Sequence, residues 1–113
     1  GGMNSFNHYS FGSCTEWMYE YCLGIQPDFH APAFQKVTFR PYFDTSGILT
    51  FAQGHYDSPR GTIKAAWTVE EGAYRYQVTV PEEIDYSFDF GDWKVACHVQ
   101  CGEDHTFVLR QNN

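Results

Sequence analysis

Positive charge is scarce in this chain. Seven Lys and Arg stand against 14 Asp and Glu, for a net charge of -7. The cations are scattered singly from Lys36 to Arg110 and form no basic stripe of the kind that displaces counterions from a phosphate backbone, so a nucleic-acid partner is not expected. Long apolar runs are missing too. Nothing approaches the roughly 18 consecutive apolar residues of a membrane helix, and the start has neither the basic nor the apolar region of a signal peptide. The chain as written is expected to be soluble, with no membrane partner, and its compartment stays unknown. There is no Gly-rich phosphate loop, no nucleophile elbow and no H-E-x-x-H, so the chemistry that those motifs serve has no foothold, and neither a metal nor a cofactor is expected.

What the chain has in abundance is aromatic side chains: ten Phe, eight Tyr and three Trp in 113 residues. With a hydrophobic fraction of 42%, this is enough to build a core, unlike the composition of disordered chains. Gly1 and Gly2 read as a remnant of tag removal, and the sequence is expected to be a piece of something longer.

The first element is helical by period. Cys14, Trp17, Met18, Tyr21, Cys22 and Ile25 recur at the spacing of one apolar helix face. Ser13-Cys14-Thr15-Glu16 reads as a capping box, Gly24 as a left-handed stop, and Pro27 forbids continuation. Glu16 and Glu20 fall opposite the apolar face and read as solvated side chains rather than a catalytic pair.

From Phe34 onward the period becomes 2. Val37 and Phe39, Leu49 and Phe51, Ile63 to Val69, Tyr74 to Val80, Ile84 to Phe90, Trp93 to Val99, and Phe107 with Leu109 make seven short alternating runs separated by turn residues. Such spacing predicts an antiparallel β-sandwich of about seven strands, preceded by one α-helix. The Pro-containing segment from Gln26 to Ala33 divides the two parts, which span residues 1–32 and 33–113. Asp85 and Asp89 alternate with apolar residues and read as outward-facing edge protection.

Four cysteines raise the question of disulfides. Cys14 and Cys22 on one helix would lie about 12 Å apart, and Cys97 and Cys101 on one strand about 13 Å, both beyond the roughly 7 Å that a bridge spans. A chelate from Cys97, His98, Cys101 and His105 is the sharper alternative. Strand alternation sends Cys97 and His98 to opposite faces, which favours buried thiols and a surface imidazole. Of the five histidines only His8 sits in a dense polar and aromatic context, Ser5-Phe6-Asn7-His8-Tyr9. Exposed Tyr or Trp side chains could stack on sugars, but filling a core is the simpler reading.

One long stretch is more specific than any of these patterns. Met3-Asn4-Ser5-Phe6-Asn7-His8-Tyr9-Ser10-Phe11-Gly12-Ser13, followed by Glu16-Trp17-Met18-Tyr19 and Gly24-Ile25, resembles the signature near the end of bacterial α-L-rhamnosidases. Phe34 to Pro41, Tyr56 to Ile63 with Trp67, and Val78 to Pro81 are similar to the strands that follow in that family. The resemblance implies the last helix of a catalytic (α/α)6 barrel joined to a C-terminal β-sandwich. It also implies an enzyme that removes terminal α-L-rhamnose with inversion, through an acid and a base about 6.5–9.5 Å apart. Both carboxylates would lie upstream, leaving no catalytic residue here and an inactive fragment. His8 would correspond to a histidine that reaches into the sugar pocket, with Asn7 supporting the pocket wall. The implied partners are a rhamnose-containing glycan and the upstream barrel.

Two readings of other classes stand beside this one. A free-standing sandwich could bind carbohydrate. Alternatively, the helix face of Trp17, Met18, Tyr21 and Cys22 could make the chain a structural module, packing back on the sandwich or onto a second copy as a homodimer.

Overall fold

The computed structural model describes residues 22–28, 36–43 and 45–111. Eight strands build it: β1 (Ile25–Pro27), β2 (Lys36–Phe39), β3 (Phe51–Ser58), β4 (Gly61–Glu70), β5 (Ala73–Thr79), β6 (Asp85–Phe88), β7 (Trp93–Cys101) and β8 (Asp104–Gln111). They form a three-stranded sheet in the order β1-β2-β6 and a five-stranded sheet in the order β3-β4-β5-β8-β7. The mainly β sandwich expected from the alternating pattern is present.

Two features of the expected fold need correction. No helix occurs among the described residues. Most of the expected helix, with Cys14, Trp17, Met18 and Tyr21, lies outside them, but its last apolar position, Ile25, is in a strand and pairs with Phe39. The reason is the backbone at Gly24, whose φ of +74° turns the chain into antiparallel pairing with β2. Pro27 is tolerated because β1 is an edge strand. The sandwich is also not wholly antiparallel, since β2 and β6 run parallel with Lys36 opposite Asp85 and Phe39 opposite Phe88. Between these two strands the chain crosses to the other sheet and builds β3, β4 and β5 before returning.

Strand chemistry explains the large sheet. On β4, Ile63, Ala65 and Trp67 are buried, and on β5, Tyr74, Tyr76 and Val78. The register places Trp67 opposite Tyr76 and Ala65 opposite Val78, so one face of the pair is wholly apolar. Glu71 and Gly72 connect the strands with φ of 49° and 80°, the two positive values of a tight hairpin turn whose twist matches the strands.

The core lies between the sheets and is aromatic. Phe43 touches Trp67, Tyr74, Tyr76 and Trp93, with ring centroids 4.7–5.9 Å apart. Across the sheets, Phe88 meets Phe107 at 4.6 Å, and within the small sheet it stacks on Phe39 at 5.4 Å. Burial of each such ring contributes on the order of 2–3 kcal/mol. Ile84 is buried while Asp85 and Ser87 are exposed, which agrees with the outward reading of Asp85 on this edge strand. Asp89 pairs with the Arg40 guanidinium and accepts the Gly91 N–H. These contacts, the Gly91 bond first and Arg40 after it, hold its carboxyl below the usual range.

β7 departs from the expected pattern. A register shift between Val95 and Cys97 inserts one extra residue against β8, and the alternation changes phase there. Cys97 and Cys101 are consequently exposed rather than buried, while His98 remains exposed and lays its ring on Phe107 at 4.1 Å.

Candidate functional site

The two residues singled out for sugar contact, Asn7 and His8, lie outside the described residues. Within the described residues, three arrangements could carry function: a clamp where the chain joins the sandwich, a histidine pair between the sheets, and a polar trough on the outer face of the large sheet.

The clamp begins with Cys22 and Leu23, which directly precede the turn at Gly24. Both are buried, at 0% and 1% exposure, and both belong to the sandwich core. Their backbone carbonyls would be costly to bury unpaired. Trp67 Nε1 donates to the Cys22 carbonyl at 2.8 Å, and the Tyr76 hydroxyl donates to the Leu23 carbonyl at 2.5 Å. Burial pushes the Tyr76 phenol well above its usual pKa, so it stays protonated and keeps donating. The Arg40 N–H donates to the Gly24 carbonyl at 2.9 Å and closes the turn from the other side. Three consecutive carbonyls are therefore fixed by the sandwich itself. Of the apolar face for which a covering partner was expected, Cys22 lies in the sandwich core, and Trp17, Met18 and Tyr21 lie outside the described residues.

The histidine pair joins β7 to β8. His98 Nε2 and His105 Nδ1 are 3.3 Å apart, and Tyr86 meets the His105 ring at 4.9 Å from β6. His105 is buried, and its pKa falls below the ordinary 6.5 through that burial first and the neighbouring His98 second, with Asp104 opposing. The chelate weighed from sequence does not assemble here. The imidazoles meet, but the bulge leaves both thiols exposed on the outer face. Among the described residues no three His, Cys, Asp or Glu side chains come together to hold a metal.

The trough runs across the outer face of the five-stranded sheet, with a volume of about 610 Å³. Its polar side chains include Gln53, Lys64, Gln77 and Asp104. Alternation in the sequence marks Lys64, Gln77 and Asp104 as outward, whereas Gln53 falls in phase with Leu49 and Phe51 and is outward because Ala52, not Phe51, is buried. The sequence does not reveal that they meet, because that depends on the register of five strands.

A three-stranded and a five-stranded sheet closed over one aromatic core define a β-sandwich domain. The particular family follows from comparison. Residues 24–89, more than half of the chain, match the bacterial alpha-L-rhamnosidase C-terminal domain, and the chain belongs to that family. Curated relatives named alpha-L-rhamnosidase include one from Alteromonas, 38% identical over 77% of this chain, and one from Streptomyces avermitilis, 35% identical over 70%. The chain spans less than a tenth of these relatives' length, 9% and 7% respectively. Its fold is similar to solved structures of alpha-L-rhamnosidase from Dictyoglumus thermophilum, with a TM-score of 0.62 at 16% identity over 84% of this chain and 13% of that one. The Streptomyces avermitilis enzyme complexed with L-rhamnose gives a TM-score of 0.56 at 21% identity over 86% of this chain and 10% of that one.

Proposed function

We propose that the chain is the C-terminal part of an α-L-rhamnosidase, and that its sandwich is a non-catalytic accessory unit held in a fixed orientation to the catalytic part before it. The observation that carries this reading is the clamp. A tethered module needs only a linker, whereas here the backbone just before the first strand is bolted into the core by Trp67 and Tyr76. A rigid joint of this kind transmits position.

Terminal α-L-rhamnose would then be hydrolysed with inversion in a barrel upstream. One carboxylic acid there protonates the leaving oxygen and one carboxylate activates water. His8 would hydrogen-bond a rhamnose hydroxyl from the C-terminal side of that pocket, with Asn7 supporting its wall. The clamp lies 14 residues downstream of His8, close enough in sequence for the joint to set where that segment leaves the sandwich.

The test is an assay of the purified chain on an aryl α-L-rhamnoside, alone and after fusion behind the barrel of a relative in place of that relative's own C-terminal domain. The chain alone should release no rhamnose, and the fusion should be active. Release by the isolated chain at the rate of a whole enzyme would overturn the accessory reading.

A further inference from the structure

The outer trough has a composition that the accessory reading does not use. Strand register builds it from two adjacent rows. In the first, His55, Lys64, Thr79 and Asp104 stand opposite one another on β3, β4, β5 and β8. In the second, Gln53, Ala66, Gln77 and Thr106 do the same. Ala66 therefore lies between two glutamines, and its methyl group leaves the floor low between them. With neighbouring strands about 4.8 Å apart, the two glutamine backbones stand about 10 Å from each other, with both side chains exposed.

Each primary amide offers two donors and an acceptor, which suits adjacent hydroxyls that both give and accept hydrogen bonds. Lys64 follows on the same face of β4, two residues from Ala66, and adds an ammonium. Asp104 accepts the Thr79 hydroxyl at 2.6 Å, which orients the carboxylate at the far side.

Other classes of ligand fit this lining poorly. Its lining includes His55 and Cys101 but no Phe, Tyr, Trp, Leu, Ile or Met side chain to anchor a protein partner. A single lysine in a chain of net charge -7 does not serve a nucleic acid. Amides, hydroxyls and one ammonium in an open trough suit a flexible polymer of hydroxyl groups.

We propose that this trough binds an oligosaccharide laid across the strands, with Gln53 and Gln77 hydrogen-bonding ring hydroxyls from either side of Ala66. Lys64 donates to an oxygen of the neighbouring residue, either a hydroxyl or a uronate carboxylate. The proposal does not depend on the accessory reading, which could fail in the hydrolysis assay while binding here persists.

The experiment is an amide-resolved NMR titration of the isotopically labelled chain with three probes: L-rhamnose, an oligosaccharide of alternating rhamnose and galacturonic acid, and neutral maltohexaose. At least one oligosaccharide should give saturable shifts centred on Gln53, Lys64 and Gln77, with a Kd of about 1 mM or tighter. The double variant Gln53→Ala/Gln77→Ala should weaken that Kd at least about tenfold. Because both side chains are exposed, its spectrum and denaturation midpoint should stay those of the parent, and Lys64→Gln provides a second, independent perturbation. Loss of the acidic probe alone in Lys64→Gln assigns a uronate. Equal weakening of both oligosaccharides assigns hydroxyl recognition. The proposal is overturned by no saturable shift up to about 10 mM, by shifts confined to other surfaces such as Tyr42 or Tyr86, or by unchanged binding in both variants.

Discussion

The indole N–H of Trp67 and the backbone carbonyl of Cys22, 45 residues apart in sequence, meet at 2.8 Å inside the core. A side chain in the middle of the large sheet thereby determines where the chain preceding the small sheet must lie. Tyr76, directly opposite Trp67 in the strand register, does the same for Leu23.

Removing one of these donors leaves a buried carbonyl without its partner. Tyr76→Phe, which keeps the ring, should lower stability by about 1–3 kcal/mol, and Trp67→Phe by more, because a cavity adds to the lost bond. Because the two bonds fix adjacent carbonyls, the double variant should lose an amount that differs from the sum. Urea unfolding followed by tryptophan fluorescence and circular dichroism would measure all three. A Tyr76→Phe variant as stable as the parent would mean that the clamp holds nothing.

Gly24 makes a sharper demand. A Cβ there would lie 2.3–2.4 Å from the backbone of Arg40 and Pro41, at a φ of +74°. Backbone cannot move aside as a flexible side chain can, so Gly24→Ala should cost about 3 kcal/mol or more, or prevent folding. Gly72 has a similar φ of +80° but open space around it, so Gly72→Ala should cost only about 1 kcal/mol. Paired thermal melts separate crowding from backbone conformation.

Stability should also depend on pH through His105. Burial first, and His98 second, lower its pKa below 6.5 in the folded chain, so between that lowered value and 6.5 the unfolded chain binds more protons. The contribution is therefore complete above about pH 6.5 and is lost as the pH falls below it. The ionisable groups around this imidazole are His98 on β7, Asp104 beside it on β8 and Tyr86 on β6, with Glu82 and Glu103 lining the adjoining cleft. Urea midpoints measured from about pH 7.5 to pH 5 should fall in the parent and fall less in His105→Gln. Parallel curves for the two proteins would exclude His105 as the source.

Cysteine reactivity reports directly on the altered phase of β7. Cys97 and Cys101 are exposed and Cys22 is buried. Brief alkylation of the native chain followed by peptide mass mapping should label the first two and spare Cys22 until denaturant is added. Protection of Cys97 and Cys101 in the native chain would restore the simple alternation.

Much of this fold was legible in the sequence, where strands follow period 2 without interruption. Ile63, Ala65 and Trp67, and opposite them Tyr74, Tyr76 and Val78, are buried as their alternation requires. Ile25 was misread because it falls at a helical interval from Tyr21 and Cys22, and a three-residue strand is too short to show a period of its own. The cysteines were misread because one inserted residue before Cys97 inverts every later side chain of β7. The parallel pairing of β2 with β6 has no local signal at all. The trough was half legible: alternation marks Lys64 and Gln77 as outward, but Gln53 shares the parity of Leu49 and Phe51, and only the register, which buries Ala52 and exposes Phe51, shows that it faces Gln77 across Ala66.

That parallel pairing bears on how the molecule assembles itself. β3, β4 and β5 are successive strands joined by short turns, and β7 and β8 form another such hairpin. The small sheet, in contrast, must bring Lys36 to Asp85, 49 residues later, after the chain has passed through the opposite sheet. Loops that long close slowly and at an entropic cost that local hairpins avoid. The folding order this implies is hairpins of the large sheet first, pairing of β5 with β8 next, and the small sheet last. The clamp on Cys22 and Leu23 would then be set only when the remainder of the sandwich is already in place.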